Sequence, residues 1–197
     1  MIKIYTKTGD KGQTSLYTGE RLDKNHHIFE CLGSIDELNA HLGLSREYCL
    51  SLGQDEEPKL AQLEEIQARL IDLGSHVATP RTSGEDQEKK IAHTAFDEAN
   101  VANLEKWIDE MDLVLPQLKN FILPSGGLAS ANLHVARTVC RRAERNLIPL
   151  YKEEHIDAHA YKYVNRLSDY LFTLARYCAM KEGKPETIYK KAKQAAE

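Results

Sequence analysis

Four arginines and one glutamate crowd residues 137–145: Arg137, Arg141, Arg142, Glu144 and Arg145. At helical spacing, Arg137, Arg141 and Glu144 fall within about 60° of one another, Arg145 lies just beside them and Arg142 points well away. A guanidinium is always charged, and its fork fits phosphate oxygens in pairs. The pattern therefore offers a cationic comb to a triphosphate. The plainer alternative is an exposed helix face laced with Arg–Glu pairs. Against it, Arg137–Arg141 and Arg141–Arg145 are like-charge pairs four apart, which repel by a few tenths of a kcal/mol each.

Two other segments could do chemistry. Residues 6–15 run Thr6-Lys7-Thr8-Gly9-Asp10-Lys11-Gly12-Gln13-Thr14-Ser15. Glycine lets backbone N–H groups approach an anion, and Thr, Ser and Lys add donors. The G-x-x-G spacing is not a Walker A loop. Read alone, this stretch is an ordinary terminus and Lys24 a solvated lysine. Phe121 opens FILPSGG, where residue type favours core packing over an apolar wall beside a flat ligand. Asp36 reads as a first-turn acid offsetting a helix dipole. The di-iron signature Glu-x-x-His is absent, and His155 and His159, four apart, read as a solvated turn in preference to a metal pair.

Amphipathic helices must position these groups. Ser34 with Glu37 fits a capping box, and Ile35, Leu38, Leu42 and Cys49 line a seam to about Leu50. Leu60 to Val77 repeat at three and four until Thr79-Pro80. Residues 81–94 are polar and aperiodic and read as a mobile loop. Thr94 and Asp97 can cap a third helix with Val101, Leu104, Ile108, Met111 and Leu115 on its seam. A fourth follows Ser125-Gly126-Gly127, with Val135, Val139 and Ala143 on the side away from the comb and a disturbance expected near Pro149. The fifth runs from about Asp157 to Gly183, with Asn165 off its apolar seam. The expected fold is all-α: a five-helix bundle, 34–183, with a non-helical segment over 1–33 and a loose tail over 184–197.

The 197 residues suit one domain. Charged residues are 28% and the net charge is −4, so nothing draws the chain broadly to nucleic acid or anionic membrane. No apolar run approaches a membrane span. Cys31, Cys49, Cys140 and Cys178 lie far apart with no C-x-x-C, which favours free thiols in a reducing compartment. The start of the chain lacks a signal-peptide pattern, so a cytoplasmic location is expected.

TKTGDKGQTS, GSIDELNAHLG, FILPSGG, HVARTVCRRAERN and VNRLSDYLFTLARY occur in this order. Together they resemble the corrinoid adenosyltransferases of the propanediol-utilisation type, including mitochondrial relatives, over about residues 3–189. The resemblance implies transfer of the 5′-deoxyadenosyl group of ATP to cob(I)alamin, giving adenosylcobalamin and triphosphate, with magnesium on the nucleotide. It implies a homotrimer with active sites between subunits. ATP would contact Thr6, Lys7, Thr8, Gly9, Asp10, Gly12, Thr14, Ser15, Lys24, Arg137, Arg141, Arg142, Glu144, Arg145 and Asn165. Asp36 would pair with Arg137 across the boundary, and Phe121 would lie against the corrin where its lower ligand normally sits. Catalysis would rest on Arg141, Arg137, Asp36 and Phe121, the protein ligands of magnesium staying unassigned. A reductase and a cobalamin-dependent mutase are implied clients. A non-catalytic, ATP-responsive cobalamin carrier or sensor is the alternative, and a structural bundle module a third.

Overall fold

The computed structural model describes residues 5, 7–53 and 57–192. Five long helices form the bundle: α1 His27–Cys49, α2 Glu57–Val77, α4 Ala99–Asp112, α5 Leu128–Lys152 and α6 Ala158–Lys181. A 3-10 turn, Glu85–Gln87, and a short helix, α3 Glu88–His93, interrupt the 81–94 segment. Helix α5 packs between α1 and α6, α2 lies against α1, and α4 covers α6. None of the described helices is long and apolar enough to cross a membrane.

Helix α1 begins at His27, earlier than the expected start at Ser34. Its buried residues run Ile28, Cys31, Ile35, Leu38, Leu42, Ser45 and Cys49 at alternating spacings of three and four, so packing carries the helix back through Gly33. That burial outweighs the roughly 1 kcal/mol helical cost of an interior glycine. His26 caps it, its Nδ1 accepting from Ile28 N at 3.4 Å. Ser34 makes no capping box: its Oγ donates to Glu30 O and accepts from Asn146 Nδ2 at 2.7 Å, tying α1 to α5.

The segment before α1 is a hairpin. Strand β1 (Gln13–Ser15) pairs antiparallel with β2 (Arg21–Asp23), Thr14 facing Leu22. Its turn docks through Tyr17 N to Ala78 O and Lys90 Nζ to Thr18 O. Residues 81–94 are folded because Arg81 gathers them, donating to Ile91 O at 2.6 Å, Thr94 Oγ1 at 2.7 Å and His76 O at 3.2 Å. Thr94 thus closes α3, its hydroxyl donating to Lys90 O, while Asp97 accepts from Ala99 N ahead of α4. Helix α4 stops at Asp112, so Leu115 packs from outside it.

The buried seam of α5 runs through Ala136, Cys140, Ala143, Leu147 and Leu150. Small residues let its neighbours come close. Val135 is off that seam and 44% exposed, contrary to expectation. Pro149 leaves α5 intact to Lys152. Part of the expected tail is also ordered: β4 (Thr187–Ile188) pairs with β3 (Ile122–Leu123). Arg176, buried on α6, fastens both, donating to Glu186 at 3.0 Å and to Pro116 O at 2.7 Å.

Candidate functional site

The cationic comb is present on α5. Burial of the opposite seam turns Arg141 and Arg145 to solvent, and Arg145 donates to Arg141 O at 3.0 Å. Arg137 is half-buried, its guanidinium 5.8 Å from the Phe172 ring of α6. Burial first, then the charge of Arg141, lowers the pKa of Arg137. Arginine starts so high that the group stays cationic. Beside it, burial and then Arg137 push His134 down to about 4, leaving a neutral imidazole against Phe172. Among the described residues, no carboxylate pairs with Arg137, Arg141 or Arg145.

Glu144 is held from α6. Asn165 Nδ2 donates to its Oε1 at 2.8 Å, and Tyr161 OH reaches the same atom at 3.4 Å. Tyr161 stacks on Tyr151 with ring centroids 4.9 Å apart. The glutamate is therefore fixed beside the arginines without neutralising them. Arg142 turns toward α1 and forms an ion pair with Glu37, as its different helical angle implied.

In the N-terminal segment, Thr6 lies outside the described residues. Lys7 takes a left-handed backbone at φ 60°. Gly12 N donates to Gly9 O, and Lys24 N donates to Gly12 O at 2.8 Å. Lys24 thereby folds over Gly9, where an added Cβ would meet its Nζ at 3.0 Å. Arg21 donates to Thr8 O and Ser15 Oγ, closing the loop from the other strand. Asp10, Gly12 and Ser15 are exposed and Thr14 half-buried. The stretch is a built turn with cations around it, in place of an ordinary terminus.

Asp36 is exposed on α1, next to the Glu37 that holds Arg142. Phe121 is 85% exposed, which overturns the core reading that its residue type favours. Its backbone is nonetheless pinned, because Tyr189 N donates to Phe121 O at 2.8 Å beside the β3–β4 pair.

Three residues of this region escaped the sequence reading. Tyr161 lies four before Asn165, so helical spacing alone could have placed both on Glu144. Phe172 sits one position from the apolar seam, and Arg176 falls on the helix side opposite that seam yet is buried; nothing in their spacing marks a link to residues 116–137. A cavity of about 470 Å³ lies between Phe172, Thr173, Arg176 and the 112–118 segment, adjoining the Arg137 contact. A second, of about 320 Å³, includes Asn165, Glu105 and Arg166. A third, of about 350 Å³ beside Arg69 and Phe96, is remote from the comb. The pairing of His155 with His159 does not form: His159 approaches Glu98, and His155 approaches Glu153.

The chain is similar in sequence and fold to known proteins. The family model for cobalamin adenosyltransferase matches residues 4–178. The corrinoid adenosyltransferase MMAB of Bos taurus is 51% identical over 189 residues, 96% of this chain and 76% of that protein. The corrinoid adenosyltransferase of Bacillus subtilis is 41% identical, over 97% of this chain and 94% of its own. Among solved structures, a phenylalanine-to-alanine variant of the PduO-type ATP:corrinoid adenosyltransferase from Lactobacillus reuteri, complexed with cobalamin and ATP, superposes with a TM-score of 0.84. It is 38% identical, and the match covers 96% of this chain and all of that one.

Proposed function

This chain belongs to the cobalamin adenosyltransferase family and is an ATP:corrinoid adenosyltransferase, and from that premise we propose how its own residues carry the transfer. The observation that carries the assignment of roles is the trio Arg137, Arg141 and Arg145 on α5, which has no carboxylate partner among the described residues on a chain of net charge −4. Such a cluster is stabilised by a polyanion and repels itself without one.

In this reading the triphosphate of ATP lies along Arg137, Arg141 and Arg145, with Lys7, Lys24 and the N–H groups of the 8–15 turn on its other side. Thr8, Gly9, Asp10, Gly12, Thr14 and Ser15 shape that turn, and Thr6, which the resemblance also assigns to the nucleotide, lies outside the described residues. Glu144, fixed by Asn165, accepts hydrogen bonds from the nucleoside. Arg142 braces α5 on α1 through Glu37. Magnesium accompanies the phosphates; Asp10 and Glu144 are hard oxygen donors of the kind it takes.

The reaction needs no general base, since the substrate's Co(I) is itself the nucleophile. Its electron pair forms the Co–C5′ bond as the C5′–O bond breaks, and triphosphate departs with that bonding pair. The protein must align the two reactants and stabilise charge on the leaving group. Arg141 and Lys24 do the second. Phe121 serves the corrin. Its ring carries no ligand atom, so it covers one corrin face, excludes water and favours a cobalt without a lower ligand, which eases reduction from Co(II).

A homotrimer with inter-subunit sites completes the reading. Leu128 and Val135, seven apart on α5 and both exposed, offer an apolar stripe to a neighbouring copy. Asp36 would reach Arg137 of that neighbour. Four buried cysteines held in no disulfide suit a reducing compartment, the cytoplasm in this reading, where a reductase supplies electrons and a cobalamin-dependent mutase receives product.

The test is anaerobic loss of the cob(I)alamin spectrum on adding ATP, with triphosphate measured in parallel. Arg141→Ala should lower turnover by about two to three orders of magnitude. Stoichiometric binding of both substrates without triphosphate release would overturn catalysis in favour of a carrier.

A further inference from the structure

We propose that His27, Glu153 and His155 form a site for a zinc-class divalent metal ion, joining the start of α1 to the end of α5. One ligand atom from each residue lies within 4.8 Å of the others. Glu153 Oε2 stands 3.8 Å from His27 Nε2 and 3.7 Å from His155 Nδ1. Those gaps are too wide for hydrogen bonds. Tetrahedral zinc with bonds of about 2.0–2.1 Å sets its ligands about 3.3–3.4 Å apart, so seating the ion closes the two Glu153 gaps by about half an ångström and the gap between the imidazoles by at most about 1.5 Å. His155 Nδ1 is buried and makes no hydrogen bond among the described residues. Two imidazoles and one carboxylate suit zinc, nickel or cobalt and disfavour magnesium, which prefers all-oxygen shells.

The backbone is built to hold these groups. Glu154, between two of the ligands, takes a left-handed conformation at φ 57°, one that a non-glycine residue rarely adopts. His155 N donates to Leu150 O at 2.8 Å, Glu153 N to Pro149 O at 3.0 Å, and Arg81 N to His155 O at 2.9 Å. On the facing side, His26 N donates to Asp23 O at 2.9 Å, setting His27 directly after the hairpin. A metal here ties the foot of the nucleotide hairpin, at His27 three residues beyond Lys24, to the end of the helix that carries the arginines. The site is separate from the adenosyl-transfer residues and does not depend on their assignment.

The experiment titrates the purified full-length protein with Zn²⁺ at pH 7.5 in millimolar Mg²⁺, by calorimetry, and repeats it with Co²⁺ by visible absorption. The expected result is one ion per chain, four-coordinate Co²⁺ bands and a higher thermal midpoint. His27→Ala and His155→Ala should each weaken binding by at least about tenfold, and His159→Ala should not. Should either alanine variant lose its helical circular dichroism, His27→Gln and His155→Gln replace them. No saturable uptake, competition by Mg²⁺, or uptake retained in both histidine variants overturns the proposal.

Discussion

Gly9 and Lys24 share the space of one methyl group: a Cβ on Gly9 would lie 3.0 Å from Lys24 Nζ and 3.2 Å from its Cε. The obstacle is the far end of a flexible side chain, so Gly9→Ala should displace the ammonium and leave the fold alone. The expected outcome is an unchanged thermal midpoint with ATP affinity reduced about tenfold, since one displaced charge–phosphate contact is worth about 1.4 kcal/mol. Equilibrium binding measured beside a melting curve checks it. A lower midpoint with unchanged affinity would assign Gly9 to folding alone.

Phe121→Ala should keep ATP affinity, because the ring is exposed and assigned to the corrin while the backbone stays pinned by Tyr189. Transfer starting from Co(II) substrate should slow severely. Chemically pre-reduced Co(I) should recover most of the rate. Equal slowing with both substrates would show that the ring orients the corrin and leaves its reduction untouched.

Asn165→Ala should free Glu144 from its 2.8 Å anchor on α6. The released carboxylate can swing onto Arg141 or Arg145 and compete with the triphosphate. KM for ATP should rise several-fold with little change in the rate at saturation. Lowering both α6 contacts at once, with Tyr161→Phe added, should give a larger effect than either change alone.

Gly126→Ala should be a stability mutation. Gly126 has φ +89°, and a Cβ there would meet Ala179 Cβ at 2.5 Å. Neither backbone nor alanine can give way, so the loss should be about 2–4 kcal/mol. Denaturant unfolding would measure it, and transfer activity should fall with it, since this turn launches α5.

Acid should destabilise the fold through two buried histidines. His76 presents Nδ1 to Thr94 O at 2.8 Å and accepts from Asp157 N at Nε2, so its neutral tautomer satisfies both contacts. Burial, then Arg81, lowers its pKa, and burial, then Arg137, holds His134 at about 4. Both native values lie below the unfolded 6.5, so the unfolded chain binds more protons as pH drops. Stability is full above about 6.5 and is lost as pH falls from there toward 4, by on the order of 1–3 kcal/mol for His134 after screening. Thermal midpoints from pH 7.5 to 5 should fall, and His134→Gln should flatten part of that slope.

Much of this protein is readable without coordinates. Seams at three and four over Ile35–Cys49, Leu63–Val77 and Val164–Cys178 predict helices because a helix buries one face, and that periodicity is local. The arginine comb is local for the same reason: Arg137, Arg141 and Arg145 lie on one helix, and spacing sets their angles. The resemblance of five ordered motifs adds the reaction. What spacing does not contain is which surfaces meet. Phe121 was an apolar residue expected in a core, and only the β3–β4 pair with the Arg176 anchor leaves it in solvent. Arg81 looked like part of a mobile loop until its three hydrogen bonds ordered 81–94. Glu144 with Asn165, and His27 with Glu153 and His155, lie 21 and more than 120 positions apart respectively. Long-range contacts of that kind arise from how α1, α5 and α6 pack, a cooperative outcome of the entire core that no window of sequence encodes.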